Sequence, residues 1–216
     1  MEKVRKLTDD QITKLGNPGN PTGEAGEMML ERMNVSHSDL TDWALGLIDF
    51  GVSDHVLDVG CGGGAALKKI SGIVSSGYLY GVDHSALSVS LTEKNNADII
   101  KEGRMNILKS SVEKLPFLNA IFDKIITVES FYFWPDPQNN LKEIRRTLKP
   151  SGKFYLVSEI FDQPDLPKEV LYNIKKYNLY NPDIQTFENL FYKAGFKKVN
   201  IHTKTEESWI CVEGIN

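Results

Sequence analysis

With 216 residues, a net charge of −4 and an isoelectric point near 5.6, the chain has room for one α/β domain with a full core and not for two. Hydrophobic residues at 41% and charged residues at 25% describe a folded globular chain, and no apolar run approaches the roughly 18 residues of a membrane span. The acidic balance argues against broad nucleic-acid binding and makes a small-molecule partner the expectation, for a monomer or homodimer.

The N-terminal segment MEKVRKLTDDQITKLGN mixes both signs of charge. It has neither the apolar core of a secretory signal nor the acid-poor character of a transit peptide, so the expected compartment is the cytoplasm. Gly16 to Gly23, GNPGNPTG, is too rich in turn residues for helix or strand and reads as a loop or lid. Helices are expected over Glu24–Met33 and Asp39–Phe50, the second with Ser38 as its N-cap. Residues 1–50 therefore read as a helical N-terminal lid belonging to the same domain as residues 51–216.

From Val56 onward, short apolar runs alternate with amphipathic stretches. Strands are expected at Val56–Val59, Tyr78–Val82, Met105–Lys109, Lys124–Val128 and Phe154–Ser158. Helices are expected over Ala65–Ile73, Ser85–Glu102 and Pro137–Leu148, the last ending in the turn Lys149-Pro150-Ser151-Gly152. This alternation predicts an α/β fold with a mostly parallel sheet. Prolines at 164, 167 and 182 surround a short helical pattern, Lys168–Tyr177, and mark a cap insertion near 161–182. Ile184–Ala194 reads as a helix stopped by Gly195, and Phe196–His202 with Ser208–Glu213 as a terminal antiparallel pair.

The chemistry concentrates in VLDVGCGGGAAL, Val56 to Leu67. Four glycines in five residues between an apolar run and a helical pattern describe a chain that leaves a buried strand, turns tightly and enters a helix beside a ligand. Gly60-Cys61-Gly62-Gly63-Gly64-Ala65 also fits the dinucleotide fingerprint GxGxxG/A, so the glycines by themselves admit a nicotinamide cofactor. Asp58 opposes that choice, because a carboxylate at the strand's end repels a pyrophosphate and attracts a cationic ligand such as S-adenosylmethionine. Asp83 ends the second strand, where an acidic side chain accepts both ribose hydroxyls of an adenosine ligand. Cys61 and Cys211 are the only cysteines, too few for a disulfide framework or a cysteine zinc site; Cys61 reads as a small turn residue, and no metal is expected.

Taken in order, VLDVGCGGG, GVDHS, SVEKLPF, FDKIITVES and LKEIRRTLKPSGKFYLVSE resemble the successive motifs of the class I S-adenosylmethionine-dependent methyltransferases of small-molecule type. The resemblance covers roughly Phe50 to Glu159. It implies a Rossmann-like seven-stranded sheet with helices on both faces and an antiparallel last strand, with S-adenosyl-L-methionine as cofactor. Carried over by residue, it gives Asp58 and the backbone of Gly60, Cys61 and Gly62 to the methionine part, Asp83 to the ribose and His84 to the adenine. Ser111 and Val112 match positions beside the adenine edge, and Val128 and Glu129 approach the methionyl group. Many relatives carry Asp where this chain has Ser111, so the usual carboxylate for the adenine amine is missing at that position.

The acceptor side is less patterned. Phe131-Tyr132-Phe133-Trp134-Pro135 follows the fourth strand, at the edge where open α/β sheets bind substrates, and Tyr132 and Trp134 are the candidates for a pocket wall. Met33, in a methionine-rich stretch, and Tyr177, in the cap, are further acceptor candidates. His37 and Glu129 are the candidate catalytic bases, needed where the acceptor must lose a proton. The expected activity is methyl transfer to an oxygen, nitrogen or carbon of a small molecule. The Asn/Asp-Pro-Pro-Tyr/Trp signature of adenine and glutamine methyltransferases is absent after the fourth strand, which argues against a nucleic-acid substrate. Two other readings remain: a non-catalytic partner subunit that binds S-adenosylmethionine, and an NAD-dependent oxidoreductase.

Overall fold

A computed structural model describes residues 7–216, so the first six residues of the expected lid lie outside the described residues. Seven strands form one sheet: β1 (His55–Val59), β2 (Tyr78–Asp83), β3 (Met105–Lys109), β4 (Phe122–Val128), β5 (Leu148–Ser158), β6 (Lys198–Lys204) and β7 (Trp209–Ile215). Their order across the sheet is β3-β2-β1-β4-β5-β7-β6. The first five pair in parallel, and β7 is antiparallel to both β5 and β6. The strand order reverses between β1 and β4, whose carboxyl ends therefore open a crevice of the kind in which such sheets bind ligands.

Burial alternates with the two-residue period of a strand covered on both faces. In β5, Phe154 and Leu156 join the core on one face, with Leu57, Ile125 and the aromatic cluster around Phe187 and Phe191. Tyr155 and Val157 join the other, with Val56, Leu67, Ile70 and Leu79. The first face is covered by α7 (Pro137–Thr147) and α9 (Ile184–Ala194), through Leu141, Ile144, Phe187 and Phe191. The second is covered by α3 (Ser38–Leu45), α4 (Ala65–Ser71) and α6 (Ala97–Lys101).

The remaining helices are α1 (Asp9–Leu15), α2 (Gly23–Ser36), α5 (Ala86–Asn95) and α8 (Lys168–Tyr177). The expected single helix over Ser85–Glu102 is instead α5 and α6, interrupted at Asn96. The Asn96 side chain is fully buried and donates to the carbonyls of Gly64 and Thr92, which ties the break to the glycine turn. The helix expected over Asp39–Phe50 ends at Leu45, where Gly46 caps it. Ser38 is the first residue of that helix, and His37 occupies the N-cap without a side-chain bond. The expected turn at 149–152 lies inside β5: its pairing with β4 jumps from Phe122↔Leu148 to Lys124↔Lys153, with Ser151 at φ +65°.

Candidate functional site

β1 delivers the chain into a turn in which Gly60, Gly62 and Gly64 have φ of +76°, +54° and +78°. A side chain there costs on the order of 1 kcal/mol or more in backbone strain. At Gly60 a Cβ would also stand 2.5 Å from Ser130 Oγ. The turn's amides are consumed within the protein: Gly60 and Cys61 N–H both donate to the Val82 carbonyl, at 2.8 and 3.1 Å, and Gly62 N–H donates to Asp83 Oδ2 at 3.0 Å. Those are donors a pyrophosphate would need, so the geometry disfavours the dinucleotide reading of the glycine pattern. Cys61 turns its thiol into the core, 3.6 Å from Thr92 Oγ1, and burial pushes the thiol's pKa well up. A thiol held in its protonated form is a poor nucleophile.

Two carboxylates flank this turn. Asp83 is held at both oxygens, Oδ2 by Gly62 N–H and Oδ1 by Ser85 N–H at 2.8 Å. Asp58 is 2% exposed, and its Oδ1 has no hydrogen-bond partner. Burial, with the charge of Asp83 beside it, pushes the Asp58 carboxyl up to about 7. A buried carboxylate without a donor or cation is costly, and the cost is removed by a ligand that brings positive charge. S-adenosylmethionine, which carries an ammonium and a sulfonium, fits that requirement.

After β3, the Ser111 hydroxyl donates to Glu113 Oε2 at 3.0 Å and accepts from Glu113 N–H at 3.2 Å. Glu113 lines the cavity, so a carboxylate borders it two residues after the position where many relatives carry Asp. This carboxylate escaped the motif comparison, which matches residues by position rather than by reach. Val112 is buried in the core beneath it, and His84 stands half-exposed with Nδ1 3.9 Å from Asp83 Oδ1.

At the end of β4, Glu129 is buried and has φ +53°, a left-handed conformation that few side chains other than Asn and Asp adopt. Glu129 Oε2 accepts from the Tyr132 hydroxyl at 2.8 Å, and Oε1 accepts from Glu159 N–H. Burial first and the nearby Glu159 second raise its carboxyl to about 8. His37, at the junction of α2 and α3, places Nε2 3.9 Å from both Glu129 Oε2 and Glu159 Oε1. Burial lowers the His37 pKa against the opposing pull of Glu159. The three side chains form the only His/Cys/Asp/Glu group with metal-ligating spacing among the described residues.

Most of these groups border one cavity of about 460 Å³ at the carboxyl ends of β1, β2 and β4. Met33, His37, Asp58, Gly60, Cys61, Gly62, Asp83, His84, Ser111, Val112, Val128, Glu129 and Trp134 all line it. Tyr132 and Tyr177 do not; they line a separate, more open cavity. The physical reason is local. The chain forms a 3₁₀ turn over Phe131–Phe133, which directs Phe133 to the main cavity while the Tyr132 hydroxyl holds Glu129 from behind. Tyr177 is drawn to the N-terminal segment, its hydroxyl 3.4 Å from the Thr13 carbonyl. Pro18, Gly19 and Pro21 of the Gly16–Gly23 loop, expected from sequence as a lid, line the cavity; the sequence reading missed Asn34, Glu113 and Ser130, and within the Phe131–Trp134 run it favoured Tyr132 where Phe133 lines the cavity.

Residues 57–156 match the family model described as "Methyltransferase domain". Over 121 residues the chain is 26% identical to an uncharacterized methyltransferase, YdaC, of Bacillus subtilis, an alignment covering 56% of this chain and 65% of that one. Over 185 residues it is 27% identical to the chloroplastic 2-methyl-6-phytyl-1,4-hydroquinone methyltransferase of Arabidopsis thaliana, covering 86% of this chain and 48% of that one. The chain thus spans about half to two-thirds of the length of these relatives. Its fold is shared with a SAM-dependent methyltransferase of Aquifex aeolicus at a TM-score of 0.64 and 20% identity, covering 97% and 99% of the two chains. The ordered motifs, the strand order and the family match agree over residues 57–156: this segment is that of a methyltransferase domain, on a fold shared with solved S-adenosylmethionine-dependent methyltransferases.

Proposed function

We propose that this protein transfers a methyl group from S-adenosylmethionine to an oxygen, nitrogen or carbon of a small-molecule acceptor. The observation that carries the reading is the orphaned, buried Asp58 carboxylate at the glycine turn, beside Asp83. When bound, the cofactor supplies an electrophilic methyl on a sulfonium, with a neutral thioether as leaving group. In this reading Asp58 meets the cofactor's positive charge, Asp83 accepts from the ribose hydroxyls, and Glu113 with Ser111 receives the adenine amine. The closed backbone of Gly60, Cys61 and Gly62 shapes the floor.

The protein's own work is alignment and exclusion of water, which supply most of what a direct displacement needs. Leu30, Met33, Phe133 and Trp134 give the cavity apolar walls, and the Gly16–Gly23 loop acts as a lid through Pro18, Gly19 and Pro21. His37 takes the acceptor's proton where the acceptor must lose one; its lowered pKa keeps it neutral near pH 7 and able to accept. Among the described residues no helix is long and apolar enough to cross a membrane.

Calorimetry with S-adenosylhomocysteine and with NADH tests the reading. Binding of the first alone, lost in Asp58→Ala with the melting temperature preserved, is the expected result. Binding of NADH, or of neither ligand, would overturn it. A competent S-adenosylmethionine site that turns over no acceptor would instead favour the non-catalytic partner subunit.

A further inference from the structure

The cavity is lined by four carboxylates, Asp58, Asp83, Glu113 and Glu129, and by no lysine or arginine among the described residues. Glu159 stands at its rim, against His37. Among the described residues, none of these five carboxylates lies within ion-pair distance of a lysine or arginine; His37 stands 3.9 Å from Glu129 and from Glu159, and His84 3.9 Å from Asp83. In the reading above Asp58, Asp83 and Glu113 belong to the cofactor, which leaves the acceptor side with Glu129, the rim Glu159 and no lysine or arginine. The same side is walled by Phe133 and Trp134, and aromatic faces together with carboxylates are the surroundings that recognise an organic ammonium.

We infer that the acceptor is an amine that enters the cavity as a cation and is methylated on nitrogen; this rests on the methyl-transfer reading above. A phosphate or carboxylate acceptor would meet Glu129 and Glu159 with no lysine or arginine to balance its charge. A phenol or alcohol would fare little better, since its methylation passes through developing negative charge on oxygen beside Glu129. An amine reverses the sign. Its ammonium N–H bond breaks and the proton passes to His37 Nε2, whose imidazolium lies between Glu129 and Glu159. The freed nitrogen lone pair forms the new N–C bond as the S–C bond breaks, the electron pair of that bond staying on sulfur. The product nitrogen is again positive, so charge at the acceptor position is never negative.

The test uses the full chain saturated with S-adenosylhomocysteine, whose own affinity is measured first by calorimetry. Ligand-observed NMR then screens matched triples that share an apolar tail, such as phenethylamine, 2-phenylethanol and phenylacetate. The amine of a triple is expected to bind at least about tenfold more tightly than the alcohol, and the acid to be silent. Glu159→Gln, at the rim, is expected to weaken the amine about threefold while leaving S-adenosylhomocysteine affinity unchanged. Alcohols or acids binding as well as amines, or silence from all three classes, overturns the amine assignment while the methyl-transfer reading stands. Failure of S-adenosylhomocysteine to bind overturns that reading instead.

Discussion

Asp58 and Asp83 share the mouth of the glycine turn, where burial first and the charge of Asp83 second raise the proton affinity of Asp58, and only Asp83 has hydrogen-bond donors on both oxygens. The asymmetry divides their labour. Asp83 is fastened to the turn by two backbone amides, whereas Asp58 is buried with its Oδ1 unpartnered.

Stability should therefore depend on pH through Asp58. Its carboxyl sits at about 7 in the folded chain, against an ordinary value of 3.8. A group raised on folding stabilises the fold fully below its unfolded pKa, and that contribution is lost as pH climbs through the folded one. Over the interval the loss is on the order of 4 kcal/mol. The ligand-free protein is expected to melt at progressively lower temperature between about pH 4 and pH 7, and Asp58→Asn to flatten part of that slope. A melting temperature that rises over the same range would contradict the assignment.

Cofactor affinity should run the other way. A cationic ligand pairs with ionised Asp58, so S-adenosylmethionine binding is expected to tighten as pH rises through about 7 and to level off above about pH 8. Calorimetry in two buffers of different ionisation enthalpy would register the protons released. Asp58→Asn should bind at least about tenfold more weakly and lose the proton release; pH-independent binding by the native chain would remove Asp58 from the site.

The turn offers a double-mutant cycle. Gly60→Ala combines a strained φ of +76° with a Cβ 2.5 Å from Ser130 Oγ. We expect a loss of about 2–4 kcal/mol, of which Ser130→Gly restores the steric part and leaves the strain of roughly 1–2 kcal/mol. Strict additivity in urea unfolding would mean that the two residues do not collide.

Tyr132 affects the site without lining its cavity. Its hydroxyl stabilises the Glu129 carboxylate, so Tyr132→Phe should move Glu129 further above its value of about 8. A carbon-13 carboxyl titration reads this directly, and an unchanged or lowered value would show that the hydroxyl does not act on Glu129.

The elements that were readable from sequence were those with strong local punctuation. Five parallel strands, α8 and α9 lie where apolar runs, prolines and Gly195 place them. α1 was missed although Thr8 and Gln11 form a capping box, the Gln11 side chain reaching the Thr8 N–H at 2.9 Å; a seven-residue helix has too few periodic positions to stand out. The break at Asn96 was unreadable because its cause, the Gly64 carbonyl, lies 32 residues away. Asn, unlike Gly or Pro, interrupts a helix only when its side chain has somewhere else to bond.

The sequence by itself determined the fold class, the glycine turn and the two carboxylates at the ends of β1 and β2, because strand periodicity and turn chemistry are local properties. Tertiary structure decided the rest of the site. Only the folded sheet sends Tyr132 and Tyr177 to a different cavity and sets His37 within 3.9 Å of Glu129 and Glu159. Those juxtapositions join segments separated by up to 122 residues, from His37 to Glu159, and depend on side-chain reach and packing, which no local pattern encodes.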